Sequence, residues 1–369
     1  MMIGLLKEPA HETRVSLLAE AVATLTKKGI SVLAETGAGE KAYCSDADYE
    51  KAGAVIKSRT DLLKSADLIL CIHPPAATEL NGLQGKVLIG VYQPLFNIEQ
   101  MKSWAVAGVT TFSLDMLPRT TRAQTMDVLS SQANIAGYKA VLTAANAYGR
   151  YFPMFMTAAG SIAPAKVLIL GAGVAGLQAI ATSRRLGAMV EVFDTRPAVK
   201  EEVMSLGAKF IEVEGAADAS KAGGYAVEQS EDFMQRQKAK IAESAAKADI
   251  IITTAQIPGK KAPILITGEM IDAMRNGSVI IDLAAATGGN TPLTKNNETV
   301  VRGGVSIIGN SSLQSTMPSD ASKLYGKNVL NFLSLIITKE GTLNLNWDDD
   351  LVKGSCITHN GQITHERIK

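Results

Sequence analysis

Cysteine, histidine and net charge are all scarce in this 369-residue sequence, and each scarcity excludes a class of function. The three cysteines, Cys44, Cys71 and Cys356, are far apart and odd in number, with no CxxC spacing. They indicate neither a disulfide framework nor a zinc site, so we expect three reduced thiols and no bound metal. The formal net charge of +1 argues against a general attraction to nucleic acid or anionic lipid.

Long apolar runs are also missing. The longest one near the end, VLNFLSLIIT at 329–338, is about half the length that a membrane span requires. Charged residues between Lys7 and Arg14 interrupt the N-terminal segment early, so we expect no secretory signal there. These features predict a cytoplasmic protein that does not cross a bilayer by itself.

What the sequence does contain is an alternation of short apolar runs with helix-like segments. ADLILCIHPP, KVLIGVYQP and VTTFSLDMLP each have the composition of a buried strand that a turn residue ends. The alternation restarts near residue 166, after a long helical stretch at 126–150. Strands that alternate with helices favour a parallel sheet with βαβ connections, so the chain is predicted to contain two such sheets.

A glycine cluster opens the second half of the chain. In VLILGAGVAG, a strand is followed directly by Gly171, Gly173 and Gly176 in the spacing G-x-G-x-x-G, where a helix begins. The first glycine permits a tight turn, the second lets a pyrophosphate approach the backbone, and the third lets helix and strand pack closely. The helix N-terminus then supplies N–H donors and a positive dipole to the phosphates. This context predicts a dinucleotide-binding site.

An acidic residue selects between the two nicotinamide nucleotides. The strand VEVFD ends at Asp194, 18 residues beyond Gly176. A carboxylate there accepts hydrogen bonds from the adenine ribose hydroxyls and repels a 2′-phosphate. Arg196 points the other way, because an arginine at this place can hold a 2′-phosphate. Asp194 comes first and at the strand end, so we predict NAD(H).

The fold class that these patterns predict is α/β, with two doubly wound parallel-sheet (Rossmann-like) domains separated by a cleft. The first domain is discontinuous, 1–128 plus 313–369, and the second, 129–312, binds the nucleotide. Two more loops, 253–263 and 282–290, follow later strands of the second domain, where either ligand contacts or ordinary turn chemistry explains their Pro and Gly. The polar segment 215–247 is predicted to be a mobile loop plus a helix.

A convincing proton acceptor is absent from this inventory. Of four histidines, His359 and His365 lie in a polar tail and His11 in a charged loop. His73 follows a predicted strand and is the plausible acid or base, although HPP is equally typical of a strand-end turn. A dehydrogenase acting on an amino or hydroxy acid needs such a group and a cationic carboxylate clamp.

A polar cluster, RTTRAQTMDVLSS, occupies residues 119–131. A helix start explains part of it, with Thr120 or Thr121 as the N-cap and Gln124 capping back. That interpretation leaves four polar residues of the cluster unexplained, namely Arg119, Arg122, Asp127 and Ser130. An interdomain cleft is where the reactive end of a dinucleotide would lie, so the cluster is our candidate for contacts to nicotinamide.

Taken together, these stretches resemble the NAD(H)-binding component, domain I, of the proton-translocating nicotinamide nucleotide transhydrogenases. The similarity runs through nearly the whole chain and includes KE…ETRV, RAQTMDVLSSQANIAGY, TAAG, PAKVLILGAGVAGLQAIATSRRLGA, DTRP, GGYA, TTAQIPGKKAP, GSVIIDLAAATGGN and LYGKNVLNF. The RAQ-x-MD stretch combined with this glycine motif is specific. Alanine dehydrogenase is a relative with the same fold that shares the context of Arg14 and the glycine motif.

The resemblance implies a set of nucleotide contacts. At the nicotinamide end it implies Arg119, Gln124, Thr125, Met126, Asp127 and Ser130. In the adenosine half and at the phosphates it implies Gly171, Gly173, Val174, Gly176, Asp194, Thr195 and Arg196. Gly224 and Tyr225 match a mobile loop that closes over bound nucleotide. Gln237 and Gln256 match further contact positions, although an aliphatic residue is commoner where Gln256 stands.

The sequence departs from both relatives. The substrate lysine of alanine dehydrogenases is replaced in LILCIH, where Cys71 and His73 are the candidate positions. Their catalytic histidine is replaced by Gln93 or a neighbour, and their loop acid by Ala286. These losses argue against alanine dehydrogenase activity. Compared with the transhydrogenases, the loop 309–322 lacks an arginine after its Leu-Pro.

The resemblance implies a homodimer that assembles with a membrane component and an NADP(H)-binding component. The expected reaction is direct hydride transfer between NAD(H) on this chain and NADP(H) on the partner, coupled to proton translocation in the membrane. No side chain would act as acid or base, because such a transfer depends mainly on positioning. The chain would be peripheral to the membrane through its partners. Two alternatives stay open, an NAD-dependent amino or hydroxy acid dehydrogenase and a non-catalytic NAD(H)-sensing subunit.

Overall fold

The chain divides into two compact units. The computed structural model describes residues 1–213, 215 and 230–368. The first unit comprises Met1–Gln132 and Ser315–Lys369, and the second comprises Ala133–Gln314. Each unit is an α/β structure built on its own sheet, so the predicted fold class of two α/β domains with parallel-strand sheets is confirmed.

The strands are short and mostly apolar. In chain order they are β1 (Met2–Leu5), β2 (Ser31–Glu35), β3 (Val55–Lys57), β4 (Leu68–Leu70), β5 (Val87–Gly90), β6 (Thr110–Ser113), β7 (Phe155–Thr157), β8 (Gly160–Ile162), β9 (Lys166–Leu170), β10 (Met189–Phe193), β11 (Lys209–Phe210), β12 (Ile250–Thr253), β13 (Val279–Asp282), β14 (Glu298–Arg302), β15 (Val305–Gly309), β16 (Cys356–His359) and β17 (Gln362–Ile363).

The helices connect and cover these strands. In chain order they are α1 (Ala19–Thr26), α2 (Asp46–Lys51), α3 (Arg59–Ser65), α4 (Ile98–Val106), α5 (Val128–Ala147), α6 (Val174–Arg185), α7 (Lys200–Ser205), α8 (Glu231–Ala245), α9 (Gly268–Asp272), α10 (Pro318–Ile336) and α11 (Asp350–Ser355). Among the described residues, no helix combines the length and apolar character needed to span a membrane.

The sheet of the first unit has the order β17-β16-β6-β5-β4-β1-β2-β3. The strands from β3 through β6 pair in parallel, and β16 and β17 extend the sheet in antiparallel fashion. Both faces of this sheet are buried, since Leu68 and Leu70 belong to one apolar core and the alternate residue Ile69 to another.

The sheet of the second unit has the order β11-β10-β9-β12-β13-β15-β14. All its pairs are parallel except β14 with β15. Alternate residues again serve two cores, with Ile250 and Ile252 on one face and Ile251 on the other. Because parallel strands all end on the same side of the sheet, the loops after β9, β10, β12 and β13 share one edge, called here the carboxyl edge of the second unit.

Most elements fall where the sequence predicts them, and local signals set their ends. The predicted helix over 126–150 is observed as α5, and the boundary between the units falls within it. Helix α8 begins after Ser230, whose hydroxyl accepts a hydrogen bond from the Phe233 amide, and α10 begins with Pro318 at its first position. The hairpin of β7 and β8 was not anticipated from the sequence.

Candidate functional site

The glycine turn after β9 has the geometry that its motif predicts. Gly171 has a φ of 104°, which favours glycine, and a Cβ there would lie 2.3 Å from the Thr254 hydroxyl. A Cβ at Gly176 would lie 1.9 Å from the Gly171 carbonyl oxygen, so only glycine lets α6 pack this close to the turn. A Cβ at Gly173 would meet nothing within 4 Å. The turn therefore leaves open space beside Gly173, at the N-terminus of a twelve-residue helix.

Asp194 is held directly against this turn. The residue follows β10, and its Oδ2 accepts a hydrogen bond of 2.7 Å from the Ala172 amide. Its Oδ1 accepts from the backbone amide and the Nε of Arg196, at 2.8 and 2.9 Å. Arg196 Nη2 donates to Oδ2 at 2.8 Å. The pairing with Asp194 raises the pKa of Arg196, which keeps the guanidinium charged.

The other predicted adenosine contacts spread along the same edge. Val174 is the first residue of α6 and is exposed, and Thr195 is half-buried beside Asp194. Gln256 follows β12 and its Nε2 donates to the Leu283 carbonyl at 2.9 Å, which links two loops of the carboxyl edge. Gln237 lies midway along α8, half-buried, and no contact among the described residues joins it to the glycine turn. Gly224 and Tyr225 lie outside the described residues.

Two buried polar residues, Asp282 and Asn290, brace this edge and were missed in the reading of the sequence. The Asn290 side chain donates to the carbonyls of Ala255 and Pro263 at 2.9 and 2.8 Å and accepts from the Ala255 amide at 3.1 Å. Asp282 accepts from the Asn290 amide at 2.6 Å and from the Thr294 hydroxyl at 2.6 Å. The loops 253–263 and 282–290 are thus cross-linked. A polar residue at the very end of an apolar strand, as in VIID, was the available signal.

The polar segment 119–130 belongs to the first unit, and part of its expected capping is wrong. Thr120 precedes a short 3-10 helix, Thr121–Met126, and makes no side-chain cap bond. The cap of α5 is Asp127, whose two oxygens accept from the amide of Ser130 at 2.9 Å and from its hydroxyl at 2.6 Å. The 3-10 turn delays the helix to Val128, so the capping role passes from the threonines to the aspartate.

The remaining side chains of this segment divide into exposed and fixed ones. Arg119 and Gln124 are exposed, whereas Met126 is buried in the apolar core of the first unit. The Thr125 carbonyl accepts from the side-chain amides of Asn328 and Asn331, at 2.8 and 2.9 Å. The backbone of the segment is therefore held by α10.

Arg122 is committed to structure. Its Nη1 and Nη2 donate to the two oxygens of Asp349 at 2.7 and 2.6 Å, and Nη2 also contacts Asp350. The bidentate geometry ties the 3-10 turn to the N-terminus of α11. This pairing accounts for one of the four residues that helix capping left unexplained.

The alternative acid–base candidates form a closed network in the first unit. Glu12 accepts from Arg14 Nε and Nη2 at 2.9 and 2.7 Å and from the Ser315 hydroxyl at 2.8 Å. His73 Nε2 lies 2.8 Å from Glu12 Oε2, and Arg14 Nη1 donates to Gln132 Oε1 at 2.8 Å. Burial alone would raise the pKa of Glu12, but the bonds from Arg14 and His73 outweigh it and hold this pKa well below its usual range.

A second carboxylate lies beside this network. Glu8, which follows β1, accepts from the amides of Ile72 and His73 at 2.6 and 3.0 Å, directly after β4. Its burial raises its pKa to about 7, against the lowering effect of these two bonds. Glu8 and His73 line a cavity of about 400 Å³ together with Lys7, Glu35, Arg59 and Cys71. Arg59 in turn donates to Glu35 and Glu79, so charged groups of the cavity wall are bonded to one another.

Known proteins of this architecture match the chain along its whole length. Residues 4–136 match the family description "Alanine dehydrogenase/PNT, N-terminal domain", and residues 140–366 match "Alanine dehydrogenase/PNT, C-terminal domain". An NAD(P) transhydrogenase alpha subunit of Rickettsia prowazekii is 43% identical over 100% of this chain and 97% of its own.

Solved structures give the same result. The crystal structure of transhydrogenase from Sinorhizobium meliloti superposes with a TM-score of 0.90 at 45% identity, covering 98% of this chain and 100% of that one. An alanine dehydrogenase of Staphylococcus epidermidis is 26% identical over 100% of this chain and 96% of its own. The chain belongs to the alanine dehydrogenase/PNT family and is similar over its whole length to the NAD(P) transhydrogenase alpha subunits.

Proposed function

We propose that this chain is the NAD(H)-binding component of a proton-translocating transhydrogenase. Hydride passes directly between NAD(H) on this chain and NADP(H) on a partner component, and a membrane-spanning component couples the transfer to proton movement. The chain works in the cytoplasm, at the membrane surface through these partners. Its similarity to transhydrogenase alpha subunits supports this assignment.

The observation that carries the proposal is the meeting of the glycine turn and Asp194 at one edge of the second sheet. The open space beside Gly173 admits a pyrophosphate, which the amides at the start of α6 then stabilise. Asp194, bonded to the Ala172 amide of that turn, stands one ribose away. Residues present here therefore fit a dinucleotide without an added phosphate on its ribose.

The role of the remaining predicted contacts is positional. We assign the nicotinamide end to Arg119, Gln124, Thr125, Met126, Asp127 and Ser130. We assign the adenosine half to Val174, Asp194, Thr195 and Arg196, with further contacts from Gly224, Tyr225, Gln237 and Gln256. NADH supplies the hydride and its electron pair, so the protein orients the ring and needs no proton acceptor.

The network around Glu12 supports the same choice over a dehydrogenase. A carboxylic acid substrate requires a cation that can pair with it, yet the Arg14 guanidinium is bonded to Glu12 and Gln132. His73 is likewise bonded to Glu12. Both groups that a dehydrogenase of this family would use are engaged with the chain itself.

A homodimer is part of the proposal, and the hairpin of β7 and β8 is the surface that we assign to it. Its strands pair with each other, and Met156 in this hairpin is 78% exposed. Met154 and Phe155 beside it are also exposed. An isolated two-stranded hairpin is marginal in water, so a second copy of the chain that covers these side chains would stabilise it. Sedimentation of M156S should show monomers, while V106S, which changes an 88% exposed valine on α4, should stay dimeric.

Transhydrogenation is tested by reconstitution. The purified full chain is mixed with NADH, an NADP+ analogue whose reduced form has its own absorption band, and the NADP(H)-binding component of a transhydrogenase. We expect reduction of the analogue only when both proteins are present. Omitting either protein is the control, and alanine, lactate and malate with NAD+ are offered to the chain alone.

Each outcome decides between the candidates. Reduction that needs both proteins supports the proposal. Oxidation of a small amino or hydroxy acid by the chain alone would identify a dehydrogenase and overturn it. Tight NADH binding without turnover in any mixture would identify a sensing subunit, and this too would overturn the proposal.

A further inference from the structure

The carboxylate of Asp194 is fully engaged by the chain itself. A carboxylate has about four acceptor positions. Two are taken by the backbone amides of Ala172 and Arg196, which the fold fixes, at 2.7 and 2.8 Å. The other two are taken by Nε and Nη2 of Arg196, at 2.9 and 2.8 Å.

The guanidinium therefore occupies the place of a ligand group. The ribose hydroxyls of NAD(H) donate to the acid at this strand end, and the side-chain donors of Arg196 are the ones that can leave. The Asp194 side chain is 6% exposed and that of Arg196 is 18% exposed, so the pair lies largely out of water. The Arg196 guanidinium thus lies within hydrogen-bonding distance of the group that would contact the 2′ position.

We propose that Arg196 is a 2′-phosphate-binding group that Asp194 keeps engaged. This inference rests on the proposed NAD(H) site. Asp194 then excludes NADP(H) in two ways, by repelling the 2′-phosphate and by holding the one guanidinium placed to neutralise it. A phosphate that captured Arg196 would leave Asp194 unpaired next to a dianion, which is costly in a site so little exposed.

The masking has a consequence for the proposed reaction. A site that accepted both nucleotides would let NADPH on this chain reduce NADP+ on the partner, with no net change. Asp194 prevents this idle exchange because it keeps the phosphorylated nucleotide off the chain. The pair is thus a specificity determinant for transhydrogenation.

A double-mutant cycle on the full chain tests the inference by binding. Dissociation constants for NADH and NADPH are measured calorimetrically for the wild type, D194N, R196Q and D194N/R196Q. The asparagine of D194N can still accept the Ala172 amide but pairs weakly with a guanidinium, so this variant frees Arg196. We expect D194N to bind NADPH at least about tenfold more tightly than the wild type and NADH about tenfold more weakly.

The charge of Arg196 must account for the gain. In D194N/R196Q the NADPH affinity should return to the wild-type level, and the gain in D194N should shrink as salt rises. D272N is the matched control, since it frees Arg302 from a similar pair in the same unit outside this site, and it should change neither affinity. Thermal unfolding of each variant confirms that it is folded.

The contrary results are distinct. NADPH affinity that stays at the wild-type level in folded D194N overturns the inference, as does a gain that persists in D194N/R196Q. In both cases wild-type binding of NADH leaves the proposed function standing. A wild-type chain that does not bind NADH overturns the proposed function and this inference together.

Discussion

The two sheets of this molecule share one strand order and differ in what their carboxyl edges carry. The first unit runs β3-β2-β1-β4-β5-β6, and the second runs β11-β10-β9-β12-β13-β15. In each, the chain direction of winding reverses next to the first strand, where open α/β sheets bind ligands. After β9 the chain makes a bare glycine turn, whereas after β1 it carries Lys7 and Glu8.

The difference shows that topology offers a site and side chains decide whether it is open. At the second edge the space beside Gly173 is open. At the first edge the carboxylate of Glu8 takes the amides of Ile72 and His73, and Glu12 takes Arg14. The same order of strands is thus consistent with nucleotide binding in one unit and an internally bonded network in the other.

The strongest way to break the second edge is to add a methyl group where the backbone is closest. G176A places a Cβ that would lie 1.9 Å from the Gly171 carbonyl oxygen, so the turn must move. We expect a loss of about 3 kcal/mol in the free energy of unfolding, together with the loss of measurable NADH binding. Denaturant titration and calorimetry measure the two effects.

G173A is the matched variant. Its Cβ would meet nothing within 4 Å and the φ of −78° suits alanine, so stability should stay the same. The methyl group enters the space through which a pyrophosphate approaches, so NADH should bind about tenfold more weakly or worse. Equal NADH affinity in G173A and the wild type would contradict the assignment of the turn.

The first edge is tested through pH. The pKa of Glu8 is raised to about 7 by burial, so the folded chain holds this proton more tightly than the unfolded chain does. This contribution to stability is complete below the unfolded pKa and is lost as pH rises from about 4.5 through 7. It amounts to something on the order of 3 kcal/mol.

E8Q should flatten this dependence. We compare unfolding midpoints at pH 5.5 and 8 in E8Q and the wild type, and expect the wild type to lose more stability on the alkaline side. His359 and His365, whose pKa values are lowered by burial, add a slope of the opposite sign to both proteins, so the difference between them isolates Glu8. Identical slopes would show that Glu8 is ionised in the folded chain throughout.

The smallest effect separates capping from ligand contact in segment 119–130. D127N keeps an N-cap oxygen for the Ser130 amide, so stability should hold, whereas D127A should cost about 1 kcal/mol. If Asp127 also contacts nicotinamide, D127N lowers the rate of hydride transfer in the reconstituted mixture at unchanged stability. Full transfer by D127N would assign Asp127 to the helix alone.

The sequence predicted well what local pattern encodes. Strand β12 appears within the predicted run 249–254 and β13 within 278–284, because unbroken β-branched runs between turn residues have few other uses. The glycine turn was found for the same reason, since three glycines in fixed spacing follow one backbone geometry. Asp194 followed from its distance to that turn.

What the sequence did not predict depends on distant partners. The burial of Glu12 requires Ser315, which is 303 positions away and comes from the second part of a discontinuous unit. Arg122 needs Asp349, which is 227 positions away. The N-cap at Asp127 was missed because a 3-10 turn, held by Asn328 and Asn331, intervenes before α5. Residue type alone does not encode such pairings.

Amide hydrogen exchange with and without NADH tests most directly which edge binds the nucleotide. We predict that NADH slows exchange in peptides covering residues 170–177 and 193–197, where the glycine turn and Asp194 lie. Peptides covering 5–9 and 70–76, at the first edge, should exchange at the same rate in both conditions. Protection at the first edge with none at the glycine turn would contradict the assignment of the nucleotide to the second unit.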